Sequence, residues 1–150
     1  MKTHIFIIAA ILALGFASCQ KTTKTADYQV VPLPKEINLN NGKPFVLDKN
    51  TVVTYSKSDE ELANEAGLLA EYFNDIFGLR LKTVCTDDIL ENSITLQKSL
   101  STQEFYEHYD SYQIIIYQHN ITITSSNTSG IFYGIQTLRK SLPVGTEAMK

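Results

Sequence analysis

A chain of 150 residues with 43% hydrophobic, 19% charged and 10% aromatic content has the make-up of a folded domain and excludes a disordered segment. The formal charge is -3, and the lysines and arginines are scattered along the chain. No basic stripe is present to grip phosphates, so no nucleic-acid partner is expected.

The first 18 residues are a different material from the rest. Lys2 is a short positive head, Ile5 to Phe16 is almost unbroken apolar sequence, and Ala17-Ser18 are small residues ahead of Cys19. That layout is a secretory signal, and its apolar run is short for a transmembrane helix; the alternative is an uncleaved buried helix. The run Leu14-Gly15-Phe16-Ala17-Ser18-Cys19 resembles a bacterial lipoprotein lipobox. The resemblance implies export across the inner membrane and cleavage before Cys19. That residue would then be the lipidation site, holding the protein to a membrane in the periplasm or at the cell surface. Each buried acyl methylene would contribute about 0.8 kcal/mol to the anchor. Residues 19–27, polar and without periodicity, read as a flexible tether.

The folded domain is expected to start near Tyr28. Two prolines in Val30-Val31-Pro32-Leu33-Pro34 remove ladder donors and leave an extended edge segment. Short strands are expected over 44–47 and 51–55, set off by Asn40-Asn41-Gly42 and Asp48-Lys49-Asn50 as turns. Leu62, Ala66, Leu69, Phe73 and Ile76 then recur at helical spacing, a single apolar stripe with one buried face. Ser58 and Glu61 have the spacing of a capping box, and Gly78 supplies the stop.

Strands are expected at 80–84 and 93–97, and the polar, aromatic stretch 100–108 has no assignment. Cys85, at the end of the first of these strands, is the only thiol besides Cys19. It could be a nucleophile in principle. With apolar sequence before it and no local histidine, a packed core thiol is the expected role. The β-branched runs 112–117 and 120–124 around Gln118-His119-Asn120 read as a hairpin. A second helix over 129–142 carries Ile131, Ile135, Leu138 and Leu142 on one face, with Asn127 to Ser129 as its cap and Pro143 beyond its end. The element order predicts an α+β fold: a mostly antiparallel sheet with two helices packed on one face.

Little here points to chemistry. Of His4, His108 and His119, only His108 lies among carboxylates (Glu104, Glu107, Asp110), and a metal needs three or four converging ligands. A solvated surface is the expected reading of that cluster. Glu60-Glu61 is explained by a helix start and Asp87-Asp88 by a turn. No phosphate loop, nucleophile elbow or zinc spacing is present. No catalytic, cofactor-binding or metal residue is therefore expected.

Three stretches carry a more specific signal: Asp110-Ser111-Tyr112-Gln113-Ile114-Ile115-Ile116, Ile121-Thr122-Ile123-Thr124, and Gly130-Ile131-Phe132-Tyr133-Gly134-Ile135-Gln136-Thr137-Leu138-Arg139. Together with Val31-Pro32-Leu33-Pro34-Lys35, they resemble the N-terminal domain of the glycoside hydrolase family 20 β-N-acetylhexosaminidases. The resemblance runs from Tyr28 to Pro143. It implies that residues 28–143 are a non-catalytic domain and that 144–150 begin a linker toward a catalytic (β/α)8 barrel. In that family an Asp-Glu pair in the barrel works with the substrate's 2-acetamido group. A barrel needs about 200 residues or more, so this stretch alone is expected to be inactive, with the barrel as its partner. The alternative is a stand-alone lipoprotein that binds glycan or protein through the same fold, with Tyr106, Tyr109 and Tyr112 as its candidate patch. Gly130 and Gly134 fall on the buried face, where each glycine costs about 1 kcal/mol of helix stability. A close approach to another surface is the expected compensation.

Overall fold

The computed structural model describes residues 26–31, 33–99 and 110–142. The expected signal, Cys19 and most of the tether lie outside them. So do Glu104, Tyr106, Glu107, His108, Tyr109 and the stretch from Pro143 onward.

Among the described residues, five strands and two helices follow in chain order: β1 (Val52–Tyr55), α1 (Glu61–Phe77), β2 (Lys82–Cys85), β3 (Ser93–Lys98), β4 (Tyr112–Ile116), β5 (Asn120–Ser125) and α2 (Thr128–Ser141). The strands form one sheet in the order β2-β1-β3-β5-β4. An α+β sheet with two helices on one face is what the element pattern implied. Strand direction is not: β1 pairs parallel with both β2 and β3, and β3 pairs parallel with β5. Only β4 and β5 are antiparallel, as the expected hairpin, with Ile114 opposite Ile123. The sheet is therefore mixed. A helix as long as α1 returns the chain to the starting end of the sheet, so β2 must run alongside β1.

Alternation sorts the two faces. Val53, Ile94, Leu96, Ile121 and Ile123 point toward the helices and, with Leu62, Ala66, Leu69 and Phe73 of α1 and Ile131, Ile135 and Leu138 of α2, make the core. The opposite face carries Thr54, Thr95 and Thr122, in register across β1, β3 and β5, with Thr124 beside Gln97 one step further on. There the Thr54 hydroxyl donates to that of Thr95 at 2.8 Å.

Local details depart from sequence expectation where tertiary contacts compete. The Ser58–Glu61 capping box does not form. Glu60 takes the cap position without a side-chain hydrogen bond. The Ser58 hydroxyl pairs with that of Ser56 at 2.8 Å, and Glu61 turns outward to Lys98. Residues 44–47 make no ladder. Both edges of β1 are already taken by β2 and β3, so Phe45 and Leu47 only pack against the core. Gly78 ends α1 as expected, in the left-handed region at φ 67°, with its N–H on the Asn74 carbonyl at 2.9 Å. Beyond it, buried Leu79 and Leu81 close that end of the core, together with Phe77, while Ile76 is left exposed. Asn127 caps α2 as expected, accepting from the Gly130 N–H at 2.9 Å.

Cys85 is likewise not the packed thiol expected. It ends the edge strand β2, opposite Tyr55 of β1, and is exposed.

Candidate functional site

The family-like stretches meet at the contact between α2 and the β4–β5 hairpin. A Cβ on Gly134 would come within 2.5 Å of Ile123 Cγ2 and 3.3 Å of the Tyr112 ring. A Cβ on Gly130 would overlap the Ser125 hydroxyl, which donates to the Ser111 carbonyl at 2.6 Å. Both glycines bring the helix backbone onto the sheet, as their spacing implied. The Tyr112 and Thr137 hydroxyls share a hydrogen bond of 2.5 Å across the same seam. Tyr112 is thus turned inward, away from any glycan platform. The inner side of this cluster is structural.

The outer side of the helix layer differs. The two helices run side by side in the same direction. Glu61 near the start of α1 accepts from the Thr128 hydroxyl at 2.7 Å, and the Tyr72 hydroxyl donates to the Arg139 carbonyl at 3.4 Å. Away from the sheet, Leu68 and Ile76 of α1 and Phe132 and Tyr133 of α2 are 38%, 51%, 37% and 47% exposed. Leu68, Tyr72 and Ile76 repeat every four residues, a second apolar stripe beside the buried one. The expectation of a single stripe on α1 is therefore corrected. That spacing was the available signal in the sequence.

Between the C-terminal halves of the helices lies a groove walled by Tyr72, Ile76 and Phe77 on one side and Gln136, Arg139 and Leu142 on the other. The Arg139 guanidinium carbon sits 4.0 Å from the Tyr72 ring centroid. Its Nη1 donates to Gln136 Oε1 at 3.0 Å, and its buried Nε has no hydrogen-bond partner. One turn past Glu61, Glu65 has a buried Oε2 that is also without a partner, and burial pushes its carboxyl pKa up.

At the N-terminal ends of the helices, charges are paired instead. Lys98 bridges Asp59 at 3.0 Å and Glu61 at 2.8 Å. Partial burial works against its charge, but the hydrogen bonds to Glu61 and Asp59 outweigh it and hold the pKa above the usual value. Asp87 accepts from the Ser56 hydroxyl at 2.7 Å and the Lys57 N–H at 3.2 Å, which lower its pKa. In the turn expected there, the Asp88 N–H donates to the Thr86 hydroxyl oxygen at 3.1 Å, and that hydroxyl donates to Asp88 Oδ2 at 3.3 Å.

A second cleft, lined by Lys43, Val46, Asp48, Glu91, Asn92 and His119 among others, opens at the opposite end of the sheet. Its polar groups are engaged with one another. Asn92, in the left-handed region at φ 52°, donates to Asp48 Oδ1 at 3.0 Å, accepts from the Thr51 hydroxyl at 2.8 Å, and gives its N–H to the His119 carbonyl at 2.7 Å. The Asn92 bond is the main cause of the lowered Asp48 pKa. Sequence reasoning had no signal for this network, whose members are far apart in the chain. Among the described residues no group of three or more His, Cys, Asp or Glu could hold a metal ion.

Comparison with known proteins fits this architecture. Glycosyl hydrolase family 20, domain 2, matches residues 27–149, and the chain belongs to that family. Among solved structures, the GH20 β-N-acetylhexosaminidase from Streptomyces coelicolor A3(2) superposes with a TM-score of 0.65 at 25% identity, over 77% of this chain and 22% of that one. A mutant Streptomyces plicatus β-hexosaminidase in complex with the product GlcNAc gives 0.64 at 23% identity, over 77% and 21%. The chain thus spans about a fifth of the length of these enzymes. No curated protein matches by sequence.

Proposed function

We propose that this chain is the non-catalytic accessory domain of a β-N-acetylhexosaminidase, and that it packs the outer face of α1 and α2 against the enzyme's catalytic barrel. The observation that carries the reading is the family match over residues 27–149. Exposed Leu68 and Ile76 on either side of half-buried Tyr72, with exposed Phe132 and Tyr133 on the neighbouring helix, support the choice of face, because large apolar side chains gathered on one surface are the mark of a docking site. The parent enzyme would remove terminal N-acetylhexosamine from glycans. Its acid and base groups would come from the barrel, and this domain would stabilise the barrel by burying apolar surface. When the purified chain is incubated with a nitrophenyl N-acetylglucosaminide, no nitrophenol release is expected, and clear turnover would refute its non-catalytic role.

The same proposal extends to location. Cys19, behind the apolar run Ile5 to Phe16, becomes the lipidated N-terminus, and residues 19–27 tether the domain to the membrane. Fractionation of expressing cells tests this. The chain should sediment with membranes and incorporate an alkynyl fatty acid, and Cys19→Ala should lose the label. Equal labelling of the variant would refute it.

A further inference from the structure

We infer that Arg139 is the charged anchor of the docking surface, and that the catalytic domain presents a carboxylate to it in the groove between the helix ends. The inference rests on the accessory-domain reading above and adds to it the residue and the chemistry that fix the contact.

Arg139 is a cation without a counter-charge among the described residues. Among the described residues the ion pairs involve Lys98 alone, so no carboxylate stands within bridging distance of Arg139. Its side chain is nonetheless half buried and held in place from two sides, by the Tyr72 ring beneath it and by Gln136 on Nη1. Nε, with no partner, belongs to the edge of the guanidinium fork that a carboxylate binds with two parallel hydrogen bonds. Holding a flexible arginine in one orientation in advance lowers the ordering entropy that a later ion pair must overcome.

The ordinary explanation for arginine here is the negative end of the α2 dipole. That accounts for a cation in the last turn, and Lys140, whose amine donates to the Val31 carbonyl, already supplies one. It does not account for a guanidinium stacked into a groove and fastened there. Around it, Tyr72, Ile76, Phe77 and Leu142 form apolar walls. A docked surface would close those walls over the pair, exclude water and strengthen the attraction, the setting in which arginine and tyrosine act as interface hot spots. The charge of the groove selects the partner group: Arg139 and Lys140 line it, with no acid among the described lining residues, so an acidic side chain fits and a basic one is repelled.

The test grafts residues 26–142, which carry their own core, in place of the counterpart domain of the Streptomyces coelicolor hexosaminidase. Thermal melting is followed for the graft and for the unfused 150-residue chain, each with Arg139, Arg139→Lys, Arg139→Met and Arg139→Glu. The expected result is a drop in graft Tm of about 4 °C or more for Arg139→Glu, a smaller one for Met and a partial one for Lys. The unfused chain should change far less across the series. Equal Tm values for the Arg139 and Arg139→Met grafts would overturn the anchor while leaving the docking reading intact. If the graft instead melts as two independent domains, the docking reading itself fails. A third result would also overturn the inference: an unfused chain that dimerises in size-exclusion chromatography and is split by Arg139→Glu, since the occupant would then be a second copy.

Discussion

The two sides of the helix layer are built to different standards. On the inner side, Leu62, Leu69, Phe73, Ile131 and Ile135 are fully buried, and Gly134 lets the α2 backbone approach Ile123 as closely as sterics allow. On the outer side, Leu68, Ile76, Phe132 and Tyr133 stand in solvent, while Arg139 and Glu65 each hold a buried polar atom without a partner. The inner side completes a domain, and the outer side is suited to become complete only on contact with something else. A single fold thus separates the residues that make it stable from those that give it a partner.

That separation can be broken most severely at the inner seam. Replacing Gly134 or Gly130 by alanine should destabilise the domain by about 1–3 kcal/mol in chemical denaturation. Overlap with Ile123 Cγ2 or with Ser125 and the Ser111 carbonyl outweighs the roughly 1 kcal/mol that alanine adds to helix propensity. A stabilised Gly134→Ala protein would mean that the close approach is not required.

A smaller effect, of opposite sign, is expected at Glu65. Glu65→Leu removes a buried carboxylate oxygen that has no partner and should stabilise the isolated domain by about 1 kcal/mol. The pH dependence follows from the raised pKa. Folding favours the protonated acid, so this contribution is fully present below the unfolded value near 4.5 and is lost as pH rises through the folded value. The advantage of the variant should therefore grow from pH 4 to pH 7 in thermal melts, and a constant difference would sink this account. Asp48 and Glu61 run the other way: their lowered pKa values make stability fall as the solution is acidified.

The smallest change is expected on the outer face. Phe132→Ser should shift the stability of the unfused chain by no more than about 0.5 kcal/mol, because the ring is not in the core. A loss comparable to that at Gly134 would erase the distinction between the two sides.

How much of this was legible beforehand varies with the range of the interaction. The face of α2, the Gly78 stop, the Asn127 cap and the hairpin around His119 are set by spacing and by the conformational preferences of single residues, and all appear where the sequence puts them. Strand direction was misread because a strand's own residues do not record which neighbour it meets. The long α1 crossover, not any local pattern, makes β1 and β2 parallel. The capping box at Ser58 and Glu61 was misread for a related reason: Lys98, 37 residues away, offers Glu61 a charged partner that the helix start cannot match.

The sequence by itself determined the class of the domain, its helices and most of its strands, and through the Gly130 to Arg139 stretch the family to which it belongs. Those features depend on contacts within a few residues or on a motif read as a whole. Only the tertiary structure decided that Cys85 is exposed, that Asn92 ties three segments together, and that Arg139 lies over Tyr72 in a groove where no acid among the described residues meets it. Burial and charge pairing are properties of the space between elements, and that space exists only once the chain has folded.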